Sequence, residues 1–107
     1  PLAKINPDVE RVIADMHKAK KPIGALCIAP VLLAKLIKGA SVTIGSDKDT
    51  AQAIELVGAK HSVTSHGQVT VDMDNMLFTT PCYMLDATIV DIANGADAVV
   101  TEMMRYI

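Results

Sequence analysis

Tryptophan is missing from this 107-residue chain, and its aromatic side chains number three: Phe78, Tyr83 and Tyr106. So few rings leave no stacking platform for single-stranded nucleic acid. Cations are not in excess either. Ten Lys and Arg stand against twelve Asp and Glu, a net charge of -2. The one basic run, Lys18, Lys20 and Lys21, falls where it would complement the C-terminal dipole of a helix. Nucleic acid is therefore not an expected partner. No apolar run reaches the roughly 20 residues that span a bilayer, and the N-terminus lacks the basic and apolar regions of a signal peptide. No membrane partner is expected. The first residue is Pro1 rather than Met, which reads as a processed, trimmed or incomplete start. The two cysteines, Cys27 and Cys82, make neither a disulfide framework nor a metal-ligand pair. The expectation is a reducing, cytoplasmic setting.

Half of the residues are hydrophobic, and their order suits one globular domain over residues 1–107. Asn6 before Pro7 is a helix start, followed by Val9, Val12, Ile13 and Met16 at helical spacing, which predicts a helix over 7–18. Ile23 to Cys27 lacks polar alternation and reads as a strand buried on both faces of a parallel sheet, with Cys27 its last residue. Pro30 then opens a helix that runs to Gly39. Val42 to Ile44 reads as a second strand, and Asp49 with Gln52 as a capping box for a helix ending at Gly58. A strand follows near His61 to Thr64. Gln68–Val71 and Met76–Thr80, separated by "DMDN", form a hairpin. Leu85, Ile89 and Ile92 mark a helix closed by Gly95, and Val99, Val100, Met103 and Ile107 a last one. The βαβα alternation predicts an α/β fold.

Ligands of such sheets bind beyond the carboxyl ends of the strands, and that is where Cys27 falls, just before a helix N-terminus. Amides and dipole at that position favour a thiolate, making Cys27 a candidate nucleophile; a buried, inert cysteine is the competing reading. Taken together, "KPIGALCIAP", "VTIGSD" and "VTVDMDNMLFTTPCYML" resemble the C-terminal half of the ES1/ElbB branch of the DJ-1/PfpI superfamily, from about Asn6 to the end. The resemblance implies a flavodoxin-like three-layer sandwich, related to the class I glutamine amidotransferases. It also implies that Cys27 is the nucleophile of a strained strand-to-helix turn, the nucleophile elbow.

The resemblance further implies a glyoxalase-like reaction on small aldehydes such as glyoxal or methylglyoxal, without cofactor. The glutamate that serves the superfamily as base has no counterpart in this chain. The chain is thus expected to be half of a domain, completed by a missing N-terminal half or by a homodimer that covers the edge of the first strand. For a eukaryotic source the setting implied is mitochondrial. Ile28 replaces the histidine that follows the cysteine in the peptidase-like branch, and no histidine follows His66 to serve a glutaminase. Peptidase and glutaminase activities are disfavoured. The alternative class is a non-enzymatic redox sensor or chaperone-like protective protein that uses Cys27 as an oxidisable thiol.

Ile28, Thr79, Thr80 and Pro81 are candidates for lining the substrate pocket, although the Thr-Thr-Pro run equally suits a strand stop and a helix cap. Cys82 stands where the resemblance would place alanine. It is a small inert residue or a resolving thiol, and in the second case a Cys27–Cys82 disulfide requires Cα atoms within ~7 Å. Asp72, Asp74 and Asn75 close a turn rather than begin a calcium loop, because the required Gly and distal Glu are absent. His61 and His66 have no metal-ligand spacing, so no metal is expected. His66 reads as a solvated loop residue and His17 as a surface residue.

Overall fold

The protein is described by a computed structural model covering residues 5–107. Helix α1 (Pro7–Lys18) begins where Asn6 Oδ1 accepts the Asp8 amide at 2.8 Å and the Val9 amide at 3.4 Å, with Pro7 needing no acceptor. It ends as the chain turns left-handed at Lys20 (φ 59°) and the Lys21 amide bonds back to Met16 O at 3.0 Å. Strand β1 (Ile23–Leu26) is followed by α2 (Pro30–Leu36), β2 (Ser41–Val42), α3 (Lys48–Leu56) and β3 (Lys60–His61). The hairpin β4 (Thr70–Asp72) and β5 (Leu77–Thr80) and the long helix α4 (Ile89–Met104) complete the order.

β1 pairs in parallel with β5, Ile23 opposite Leu77 and Leu26 opposite Thr80, and β4 pairs antiparallel with β5. The strand order is β1-β5-β4, with β2 and β3 forming a separate parallel pair. Side chains alternate across the first sheet as the pleat requires. Ala25 and Leu77 join Leu33, Ala34, Ile37, Val42, Ile44 and Ile54 in one buried cluster, against which Ile13 of α1 also packs. Gly24 and Phe78 face α4 instead: Phe78 meets Tyr106 at a ring separation of 5.7 Å. A Cβ on Gly24 would stand 2.7 Å from Met103 Sδ and 2.9 Å from Val99 Cγ1, so glycine is what lets α4 lie this close to β1. Helices on both faces of the sheet give the three-layer α/β sandwich, and its flavodoxin-like class agrees with the sequence.

Four local expectations change. β1 is not buried on both faces: among its residues only Ala25 is buried, because β1 is the terminal strand of its sheet among the described residues. α2 stops at Leu36, Ile37 being extended, and Gly39 (φ 79°) lies beyond its end. The cap of α3 is Asp47, whose carboxylate accepts the Thr50 amide at 3.0 Å, not the Asp49 and Gln52 pair. Finally, α4 is one helix. It is opened by a reciprocal capping box of Thr88 and Asp91, and Gly95 lies inside it without ending it.

Strand β2 is also shorter than expected, for a reason visible in the amides that follow it. After Val42, three consecutive N–H groups leave the ladder and donate to side chains: Thr43 to Thr79 Oγ1 at 3.0 Å, Ile44 to His61 Nε2 at 3.2 Å, and Gly45 to Thr43 Oγ1 at 3.0 Å. Ser41 likewise donates to Asp72 Oδ2 at 2.8 Å, which ties β2 to the hairpin. The same carboxylate accepts the Asn75 amide at 3.1 Å and Asn75 Nδ2 at 2.9 Å, so it closes the "DMDN" turn. Burial alone would raise the Asp72 carboxyl, but the hydrogen bonds from Asn75, Ser41 and Asp74 outweigh it and hold the group below its ordinary 3.8.

Two predictions follow from this packing. A Cβ at Gly95 would sit 3.6 Å from Thr80 and 3.7 Å from Cys82 Sγ, which is ordinary contact. Gly95→Ala is expected to stabilise the protein by about 0.5–1 kcal/mol in urea titration, from helix propensity alone. Asp72→Ala strands the Ser41 and Asn75 amides and is expected to cost at least about 2 kcal/mol. Because folding lowers the Asp72 value, its stabilisation is full above about pH 3.8 and is lost as pH falls through the folded value. Asp72→Asn should therefore show a shallower acid limb than the wild type.

Candidate active site at the carboxyl ends of the strands

β1 ends at Leu26, one residue earlier than expected, and Cys27 forms the turn itself with φ at 63°. Its amide continues the parallel ladder, donating to Thr80 O at 3.0 Å. The chain then closes tightly: the Ala29 amide bonds to Leu26 O at 3.1 Å, and Pro30 stands at the first position of α2. A side chain on a left-handed non-glycine residue costs of order 1–3 kcal/mol in strain. The ladder bond on one side and the helix start on the other hold Cys27 in that state. The Cys27 thiol is half-buried and free.

β5 leaves the sheet beside it by a second left-handed turn. Thr79, Thr80 and Pro81 are fully buried, and Cys82 has φ at 46° as the first residue of a single tight turn, Cys82–Met84. Thr79 Oγ1 accepts the Thr43 amide, and Thr80 Oγ1 donates to Gln68 O at 2.8 Å. Both hydroxyls expected to line a pocket are engaged in these bonds, to the residue after β2 and to the loop before β4. Ile28, at 54% exposure, is the one candidate of the four that stands open beside Cys27.

Cys82 is buried, and burial raises its thiol above the ordinary 9.0. The neighbouring Cys27 charge adds to that rise, and the Cys27 backbone partly offsets it. The third edge in this region is Gly45 (φ 97°), which follows β2 and would bring a Cβ to 3.0 Å from both Pro81 and Leu85. Neither Gly45 nor the left-handed state of Cys82 was signalled by local sequence, since both depend on strands that meet only in the folded chain.

Each histidine has a partner other than the Cys27 thiol. His66 Nδ1 faces Asp91 Oδ2 at 4.0 Å. His17, expected on the surface, is half-buried with Nε2 3.0 Å from Asn75 Oδ1, which joins α1 to the hairpin turn. Among the described residues no carboxylate or imidazole is hydrogen-bonded to Cys27, and no group of three His, Cys, Asp or Glu side chains converges as a metal would require.

A sheet sandwiched between helices, with a left-handed cysteine between its first strand and the next helix, defines an α/β protein of the glutamine amidotransferase-like class. The crystal structure of an isoprenoid biosynthesis protein with an amidotransferase-like domain from Ehrlichia chaffeensis superposes with a TM-score of 0.88. It is 28% identical and covers 96% of this chain and 49% of that one. The mitochondrial ES1 protein homolog of Rattus norvegicus is 42% identical over 111 residues, 95% of this chain and 42% of the relative. The mitochondrial glutamine amidotransferase-like class 1 domain-containing protein 3 of Homo sapiens is 40% identical, with 95% and 41% covered. No family model matches the chain. The chain belongs to the ES1/ElbB-like family, and it spans about four-tenths of the length of these curated relatives.

His61 supports the strand end that carries Gly45. Burial lowers its value from 6.5, opposed by the nearby Glu55 charge, and its Nε2 must be unprotonated to accept the Ile44 amide. Folding therefore favours the neutral ring. The associated stability is full above about pH 6.5 and falls as pH drops from there through the lower folded value. His61→Gln keeps an acceptor without a titration, and its stability should vary less than the wild type's across that window in urea titrations.

Proposed function

We propose that the protein is the Cys27-bearing half of a glyoxalase-like enzyme that converts glyoxal or methylglyoxal to the corresponding hydroxy acid. The observation that carries this reading is the left-handed Cys27, tied to Thr80 O at 3.0 Å and placed at the carboxyl end of β1 beside α2. In such a turn the thiol sits where a small electrophile can reach it, as a nucleophile elbow requires. The thiolate adds to the aldehyde carbon to give a hemithioacetal. A base then moves the proton from that carbon to the adjacent one, leaving a thioester. Water cleaves the thioester, releasing the hydroxy acid and the free thiol, so that the net change is addition of one water.

The base comes from outside this chain in this reading. β1 has no partner on its outer edge among the described residues, and α1 leaves Val9, Val12 and Met16 exposed. The complementary half of the domain, or a second copy, is the occupant that would cover that edge and bring an acidic side chain toward Cys27. The rat and human relatives are mitochondrial, and the same setting is proposed here for a eukaryotic source; they give the cytoplasmic expectation no support.

The test is hydroxy-acid formation from methylglyoxal by the complete protein and by its Cys27→Ser variant. The variant is expected to lose at least on the order of a hundredfold in rate, with its fold intact by circular dichroism. Equal rates in the two proteins would overturn the catalytic role of Cys27.

A further inference from the structure

We propose that Cys27 and Cys82 act as a reversible dithiol–disulfide pair, a modification site at the joined ends of β1 and β5 that is oxidised by hydroperoxides. The pairing rests on geometry. Its effect on turnover rests in addition on the reading of Cys27 as nucleophile. Of the four non-glycine residues with positive φ among the described residues, two are these cysteines, each at the point where its strand leaves the sheet. Leu26 lies opposite Thr80 and the Cys27 amide bonds to Thr80 O, so the same register sets Cys27 opposite Pro81, one residue short of Cys82. Adjacent strands are about 4.8 Å apart and successive residues along a strand about 3.3 Å, so a diagonal neighbour one residue farther on lies about 6 Å away, inside the ~4.4–6.8 Å Cα separation that a disulfide spans.

The two thiols are unequal, and this assigns their order of reaction. Cys27 is half-buried, whereas Cys82 is 8% exposed, so an oxidant meets Cys27 first. The Cys27 thiolate attacks one peroxide oxygen, the O–O bond breaks, and the alcohol or water leaves; Cys27 becomes a sulfenic acid. Cys82 sulfur then attacks the Cys27 sulfur. An S–S bond forms, the S–O bond breaks, and hydroxide leaves with the Cys82 proton as water. Two electrons pass from the thiols to the peroxide. Because Cys82 follows by two residues the Thr80 whose carbonyl holds the Cys27 amide, closure competes with a second oxidation of Cys27 to the irreversible sulfinic acid.

The experiment treats the complete protein with one equivalent of hydrogen peroxide and maps its peptides without reductant, with aldehyde turnover measured in parallel. The expected result is a single linked species joining the Cys27 and Cys82 peptides, cleaved by dithiothreitol, with turnover lost on oxidation and restored on reduction. In Cys82→Ala and Cys82→Ser, Cys27 should pass to sulfinic acid and the loss should become irreversible. The proposal is overturned if wild-type Cys27 reaches sulfinic acid as fast as in the Cys82 variants, if Cys82 remains alkylatable after Cys27 is oxidised, or if the bridge joins Cys27 residues of two chains. A linked species in a protein that turns over no aldehyde would sink the proposed function and leave the pair standing; turnover without the link would do the reverse.

Discussion

The parallel ladder between Ile23–Leu26 and Leu77–Thr80 joins two segments distant in sequence, and both faces of the molecule are arranged around it. On one side Ala25 and Leu77 contribute to the cluster with α2 and α3; on the other, Gly24 and Phe78 receive α4. The ladder's last bond, from Cys27 to Thr80 O, fixes the start of one left-handed turn and lies two residues before the next. Loop closure over such a separation is entropically costly, so the contacts it permits must be made together. The proposed nucleophile and its neighbouring thiol are thus products of the core pairing and not of a local motif.

Around that ladder, the second strand pair is attached by side chains. Thr43, Ile44 and Gly45 donate their amides to Thr79, His61 and Thr43 side-chain atoms, and the Thr43 hydroxyl in turn donates to Ser62 O at 2.7 Å. No described buried side-chain nitrogen or oxygen is left without a partner. Such networks make geometry unique at the cost of tolerating little change, since each orphaned member carries its full desolvation penalty.

Much of this was legible beforehand because it rests on short-range chemistry. Asn6–Pro7 started a helix as read, the "DMDN" turn made its hairpin, and the α/β alternation gave the layer architecture. Cys27 stood out by its place between an apolar run and Pro30. The misreadings have a common origin in tertiary contacts. Gly95 looked like a helix stop but lies inside α4 against Thr80 and Cys82. The partners of Thr79 and Thr80, the Thr43 amide just after β2 and the Gln68 carbonyl in the loop before β4, are likewise tertiary and no local pattern reveals them. His17 looked exposed until the hairpin turn brought Asn75 to it.

One of these attachments differs in kind from the ladder it supplements. The bond that holds Ser41 to the hairpin ends on the carboxylate of Asp72, not on a carbonyl. Every residue brings a backbone carbonyl, so the joint between β1 and β5 survives almost any codon change along either strand. The joint between β2 and the hairpin is written in two codons, those of Asp72 and Thr79. A gene drifting under mutation would lose that second joint long before the first, and the two halves of this small fold are accordingly unequal in how much sequence change they can absorb.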